Sequence, residues 1–191
     1  MGKPLPGRFE ASAGTSSGMR RALQKAMIAL THILVATDFS EPSEAALLYG
    51  RQLARAHGAT LHVLHIVGNV AGDMAAPVGV GPNTDRLQRE MEAEARRRVE
   101  GLLAEDVRGG LTARVTVLTG PVAPAILLYA DAEPIDLIIL GTHGRTGFAH
   151  FFMGSVAQHV VRRAPCPVLT VRHPERDFVV ADAPRKMAVA S

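Results

Sequence analysis

Residues 136–155 read DLIILGTHGRTGFAHFFMGS, and the way this stretch begins and ends decides the fold. Its first six residues are apolar at almost every position, whereas a strand with one wet face alternates apolar and polar side chains. Continuous apolarity marks a strand covered on both faces, which is the situation inside a parallel sheet flanked by crossover helices. Residues 32–37, HILVAT, have the same character, so both strands belong at the sheet centre. Three more β-branched apolar runs lie at 60–67 (TLHVLHIV), 112–119 (TARVTVLT) and 167–172 (PVLTVR).

Between the runs the period lengthens to that of a helix. Residues 43–57 place Ala46, Leu47, Gly50, Leu53, Ala54 and His57 on one stripe and stop at Gly58, a residue suited to the position after a helix end. Residues 85–107 carry Leu87, Met91, Ala95, Val99, Leu102 and Leu103 at helical spacing, with Glu90, Glu92 and Glu94 ahead of Arg96, Arg97 and Arg98 as the macrodipole prefers. Segments 122–130 and 155–163 are shorter, the second stopping before Pro165. Alternating strands and helices define an α/β protein built on a single open five-stranded parallel sheet with helices on both faces. The Gly- and Pro-rich stretch 68–84 is expected to be a mobile surface loop. Residues 1–30 read as a largely disordered arm with a short helical patch at 19–30. The one domain spans 31–173, and 174–191 read as a tail.

Composition narrows the functions available. The chain has 191 residues, 47% of them hydrophobic and 20% charged, which is globular rather than disordered. A net charge of +3 comes from scattered, largely matched side chains, and aromatics are 4% with no Trp, so platforms for stacking nucleic-acid bases are hard to assemble. No nucleic acid and no membrane are expected as partners, since no apolar run approaches the roughly 20 residues that span a bilayer. The lone Cys166 excludes internal disulfides and multi-thiolate zinc sites, which fits a reducing, cytoplasmic setting. His62 and His65 lie three apart on one strand and face opposite ways, and His143, His150 and His159 have no ligand spacing, so no metal site is expected.

Ligands of open parallel sheets bind beyond the carboxyl ends of the strands, where chain order reverses. There the chain places Thr37, Asp38, Phe39 and Ser40 after the first strand and Ile66 near the end of the second. After the fourth come Gly141 and Gly144, then nine residues, then Gly154 and Ser155. Glycines at a strand end let the backbone approach an anion, and a helix N-terminus at 154–155 offers N–H groups and a positive dipole end to phosphate. No Lys follows in a G-K-[ST] element and no G-x-G-x-x-G is present, so neither a P-loop nor a dinucleotide fingerprint is matched. Asp38 and Ser155 also suit plain helix capping.

The segments HILVATDFSEPSEAALLYGRQLA and DLIILGTHGRTGFAHFFMGSVAQHVVRRAPCPVLTVR resemble the universal stress protein family, and the complete G-x-x-G, nine residues, G-S element resembles its ATP-binding branch. The resemblance implies a Rossmann-like sheet of the adenine nucleotide alpha hydrolase type, with strand order 3-2-1-4-5. It implies ATP with Mg²⁺ as ligand. Ala36, Thr37 and Asp38 would border the adenosine and Ile66 the adenine. Gly141, His143, Gly144 and Arg145 would line ribose and phosphates, and Gly154, Ser155 and Val156 would hold the phosphates. It implies a homodimer through the edge strand that begins at Pro167 and ends at Arg172. No side chain placed to activate water is evident, so turnover of ATP is expected to be weak at most. A slow ATP-hydrolysing or adenylyl-transferring enzyme and a dimeric scaffold that binds no nucleotide remain the alternatives to a module whose occupancy a protein partner reads in a stress response.

Overall fold

A computed structural model describes residues 29–69, 82–142 and 153–172. The elements run β1 (His32–Ala36), α1 (Glu41–His57), β2 (Thr60–Val67), α2 (Pro82–Arg108), β3 (Ala113–Thr119), α3 (Val122–Ala132), β4 (Leu137–Gly141), α4 (Ser155–Arg163) and β5 (Val168–Val171). The arm, the tail and most of the stretch expected as a loop lie outside the described residues. All strand pairs are parallel and the sheet order is β3-β2-β1-β4-β5. The two most apolar strands, β1 and β4, are adjacent and interior, as their composition requires.

Each face of the sheet has its own core. On one side Ile33, Val35, Leu61, Val63 and Ile139 meet Ala46, Leu47 and Ala54 of α1 and Val99 and Leu103 of α2. On the other, Leu34, Leu64, Ile138 and Leu140 meet Ile126 and Tyr129 of α3 and Val160 of α4. Burying a large aliphatic side chain contributes about 1.5–3 kcal/mol, so these two layers are what hold the sheet between its helices.

Element ends differ from the sequence reading in ways that have physical causes. Helix α1 starts two residues earlier than expected, because Pro42 in the first turn loses no needed hydrogen bond and Glu41 and Glu44 suit the positive helix end. Its last expected stripe residue, His57, is exposed, since the helix closes there through Gly58 at φ 65°. Helix α2 starts at Pro82, absorbing the end of the expected loop, and its early apolar residues Leu87 and Met91 stay 46% and 39% exposed. Asp136 joins the starts of β1 and β4: its Oδ2 accepts the N–H and hydroxyl of Thr31 and the N–H of His32, and these bonds hold the carboxyl below its ordinary pKa.

Candidate functional site

Beyond the carboxyl ends of β1 and β4 the chain leaves toward opposite faces, α1 to one and α4 to the other, and a cleft of about 280 Å³ opens between them. Its floor is apolar: Ala36, Ile66 and Leu140 from the strands and Val122 and Ile126 from α3. Its walls carry the polar groups. Thr37, Asp38 and Ser43 stand on the β1 side, and Gly141, Thr142, Gly154, Ser155 and Val156 on the β4 side.

The β1 wall is a closed knot of hydrogen bonds. Thr37 N–H donates to Leu64 O at 2.9 Å, which continues the β1–β2 ladder one residue past the strand. Phe39 N–H donates to Thr37 Oγ1 at 3.1 Å, and Ser43 Oγ donates to Ser40 O at 2.9 Å. The Ser43 proton being committed, the Thr37 hydroxyl donates to Ser43 Oγ across 3.2 Å. Asp38 Oδ1 accepts both the N–H and the hydroxyl of Ser40. Asp38 thus stabilises the turn rather than capping α1, whose N-cap is Ser40.

The β4 wall is differently made. Thr142 N–H donates to Val171 O at 2.8 Å, and Gly154 N–H donates to Thr142 O at 2.7 Å, so the N-terminus of α4 is tied to the end of β4. Gly154, and not Ser155, is the N-cap, with φ −57° and ψ 152°. The first intrahelical donor is Gln158, to Gly154 O at 2.9 Å. The N–H groups of Ser155, Val156 and Ala157 therefore have no acceptor within the helix, and they lie at the end where the dipole is positive.

Of the residues expected from sequence, Ala36, Thr37, Asp38, Ile66, Gly141, Gly154, Ser155 and Val156 all line this cleft. His143, Gly144 and Arg145 lie outside the described residues. Gly141 lines the cleft and also meets a packing requirement: a Cβ there would come within 2.8 Å of Pro42 C and 2.9 Å of Pro42 O, so the absence of a side chain lets the start of α1 approach β4. The Gly154 backbone angles suit any residue, so no special conformation demands a glycine there. The sequence reading did not name Ser43, Val122, Ile126, Leu140, Thr142 and Ala157 as site residues. Thr142 carried the plainest signal, following directly on the carboxyl end of β4, and Val122 stands three residues past the end of β3.

A second polar group lies toward the other end of α3. His62, 1% exposed, has Nδ1 2.9 Å from Tyr129 Oη and Nε2 3.0 Å from His32 Nδ1, and Thr116 Oγ1 donates to Tyr129 Oη at 3.3 Å. One proton order satisfies every member: Thr116 to Tyr129, Tyr129 to His62, His62 to His32. Burial, then the charges of Arg114 and His32, lowers the His62 pKa to about 4, so the ring is neutral at neutral pH. Burial pushes the Cys166 thiol up, away from a reactive thiolate. Among the described residues no three His, Cys, Asp or Glu side chains group as metal ligands, and no helix is long and apolar enough to cross a membrane.

Comparison with known proteins agrees with this architecture. The model of the Universal stress protein family matches residues 29–172. The chain is 36% identical over 140 residues to a universal stress protein of Thermus aquaticus encoded in the QAH/OAS sulfhydrylase 3′ region, covering 73% of this chain and 97% of that one. It is 30% identical over 146 residues to universal stress protein MJ0531 of Methanocaldococcus jannaschii, covering 76% and 84%. The solved structure of MJ0577 from the same organism superposes with a TM-score of 0.68 at 26% identity, over 78% of this chain and 99% of that one. The chain belongs to the universal stress protein family.

Proposed function

We propose that the cleft binds an adenine nucleotide, ATP with Mg²⁺, and that occupancy changes a surface read by a protein partner in a stress response. The observation that carries this reading is the pairing of an apolar floor with three N–H groups of α4 that lack intrahelical acceptors. A base fits the floor, and a phosphate chain is the natural partner of a helix N-terminus. Asp38 and Ser155 are the side-chain oxygen donors available to a Mg²⁺ whose other ligands would be phosphate oxygens and water. Asp38 is the one carboxylate among the described lining residues and its Oδ1 is engaged by the Ser40 N–H and hydroxyl, which supports a binding module over an efficient hydrolase.

The two sheet edges support a homodimer through β5; the cytoplasmic setting we propose rests on the lone cysteine, Cys166. The β3 edge is blunted, because Arg96 Nη1 from α2 donates to Val115 O at 3.2 Å. The β5 edge is short and carries Val168, Leu169 and Val171, so pairing with the same strand of a second copy covers it. Light scattering should find a dimer at tens of micromolar, which Thr170→Pro disrupts by removing an outward-facing donor: Pro167 O and Val171 O accept from the β4 side, so by alternation Leu169 N–H faces β4 as well and the Thr170 N–H faces the open edge. The nucleotide reading is tested by mass spectrometry of small molecules released by acid from freshly purified protein. Adenine nucleotide in stoichiometric amount is expected; protein that carries none and takes up none when offered ATP rejects the reading.

A further inference from the structure

Phe39 sits directly after Asp38 with φ 62°, the only described residue other than glycine in the left-handed region. For a residue with a Cβ this conformation is unfavourable, and it persists only where neighbours hold it. Here they do so from the face of the sheet opposite the cleft floor. The guanidinium carbon of Arg98, on α2, lies 4.0 Å from the centre of the Phe39 ring. The His65 ring, from β2, lies 4.5 Å from it at an interplanar angle of 38°. His65 also fixes the residue before Asp38, since its Nδ1 donates to Thr37 O at 2.8 Å.

The ring is thus gripped between a helix and a strand, while the backbone on either side of it forms the β1 wall of the cleft. If the ring moves, φ of Phe39 relaxes toward negative values, its N–H leaves Thr37 Oγ1, and the Ser40 groups that hold the Asp38 carboxylate move with it. We infer that Arg98 and His65 are positioning residues for the binding cleft, acting through the Phe39 ring and touching no ligand themselves. The inference rests on the nucleotide reading above. It adds that a side chain on α2, 60 positions along the chain from Asp38, sets ligand affinity.

The test combines ATP titration calorimetry with the amide resonance of Ser40, which reports the corner without any ligand. Arg98→Ala should shift the Ser40 resonance and weaken ATP about two- to fivefold, the scale of one exposed cation–π contact. Its effect should vanish in a Phe39→Ala background, because Arg98 then has no ring to act through. Phe39→Gly should bind ATP more tightly than Phe39→Ala despite the smaller side chain, since glycine holds φ near 62° without strain, and a purely structural role for the ring would give the opposite order. Arg98→Lys, which keeps the cation, should recover part of the affinity. A wild-type chain that binds ATP while Arg98→Ala leaves both affinity and the Ser40 resonance unchanged overturns the inference. If the wild type binds no ATP, the nucleotide reading fails and the Ser40 resonance alone decides whether Arg98 positions the corner.

Discussion

The two walls of the cleft face each other across a few ångströms of the same sheet, yet they use their polar groups in opposite ways. On the β1 side Thr37, Asp38, Ser40 and Ser43 bond to one another and fix a corner that includes a left-handed phenylalanine. On the β4 side Gly154 N–H is tied down, and the next three N–H groups have no partner within their helix. One wall is a rigid edge with a carboxylate on it, and the other carries three donors that their own helix does not use. A binding site built this way keeps its shape without ligand, so affinity is not lost to ordering both walls. The floor that joins them, α3, is anchored one turn beyond Ile126 by the Tyr129–His62 bond.

The largest expected effect bears on that floor. His62 titrates near 6.5 in an unfolded chain and near 4 in the folded one, so between these values the unfolded chain binds more protons. Stability is full above about pH 6.5 and declines as pH falls through about 4, by a total of about 3 kcal/mol at 1.36 kcal/mol per unit. Urea midpoints at pH 7 and pH 4 read this directly, and His62→Gln should flatten the difference. A wild-type midpoint that does not move over this range would mean that α3 is not held by a neutral histidine. Asp136 and Glu92, whose carboxyls are held below their ordinary values of 3.8 and 4.5, begin to lose their contributions as pH nears those values, so the part of the pH 7 to pH 4 difference that His62→Gln removes is the histidine's own.

Next in size is Gly141→Ala. The added Cβ meets the backbone of Pro42, which cannot swing aside as a side-chain tip would, so the β1 wall is pushed away from the β4 wall. A loss of about 2 kcal/mol in denaturant unfolding is expected, in the range for overpacking. An unchanged midpoint would show that the walls are not locked to each other at this point. Smallest is Gly154→Ala, which requires no unusual backbone angle and should change stability by under about 0.5 kcal/mol, in contrast to Gly141→Ala. Equal losses in the two variants would erase the distinction between a glycine whose Cβ would meet backbone and one distinguished only by ordinary backbone angles.

Much of this was legible in the sequence because parallel strands buried on both faces cannot hide their composition. DLIILG and HILVAT read as central strands and are the adjacent interior pair β4 and β1. The strand-end residues of the cleft were legible for a related reason, since the topology of such sheets sends ligands there. Val122 and Ile126 were not, because an apolar residue on a helix looks the same whether it meets another side chain or an open cleft. Gly141 was read as a lining residue of the ligand site and does line the cleft, but no pattern in sequence could reveal that the close approach of Pro42, almost a hundred residues away, also requires a glycine there. Nor does a phenylalanine announce a positive φ, which depends on the grip of Arg98 and His65 from two other elements.

The central claim is that the α4 N–H groups hold the phosphates of a nucleotide, and Ser155→Pro addresses it most directly. Proline at the first helical position removes one N–H that the helix itself does not use, and Gly154 already has the extended ψ of 152° that a following proline requires. The fold should therefore melt as the wild type does. Calorimetric titration should show ATP binding to the wild type at micromolar concentration or tighter. Ser155→Pro should bind about tenfold more weakly, for the loss of a charge-assisted hydrogen bond of about 1.5 kcal/mol, and by more than Ser155→Ala, which lacks the hydroxyl alone. Equal affinity for ATP in the wild type and in a folded Ser155→Pro chain would contradict the account.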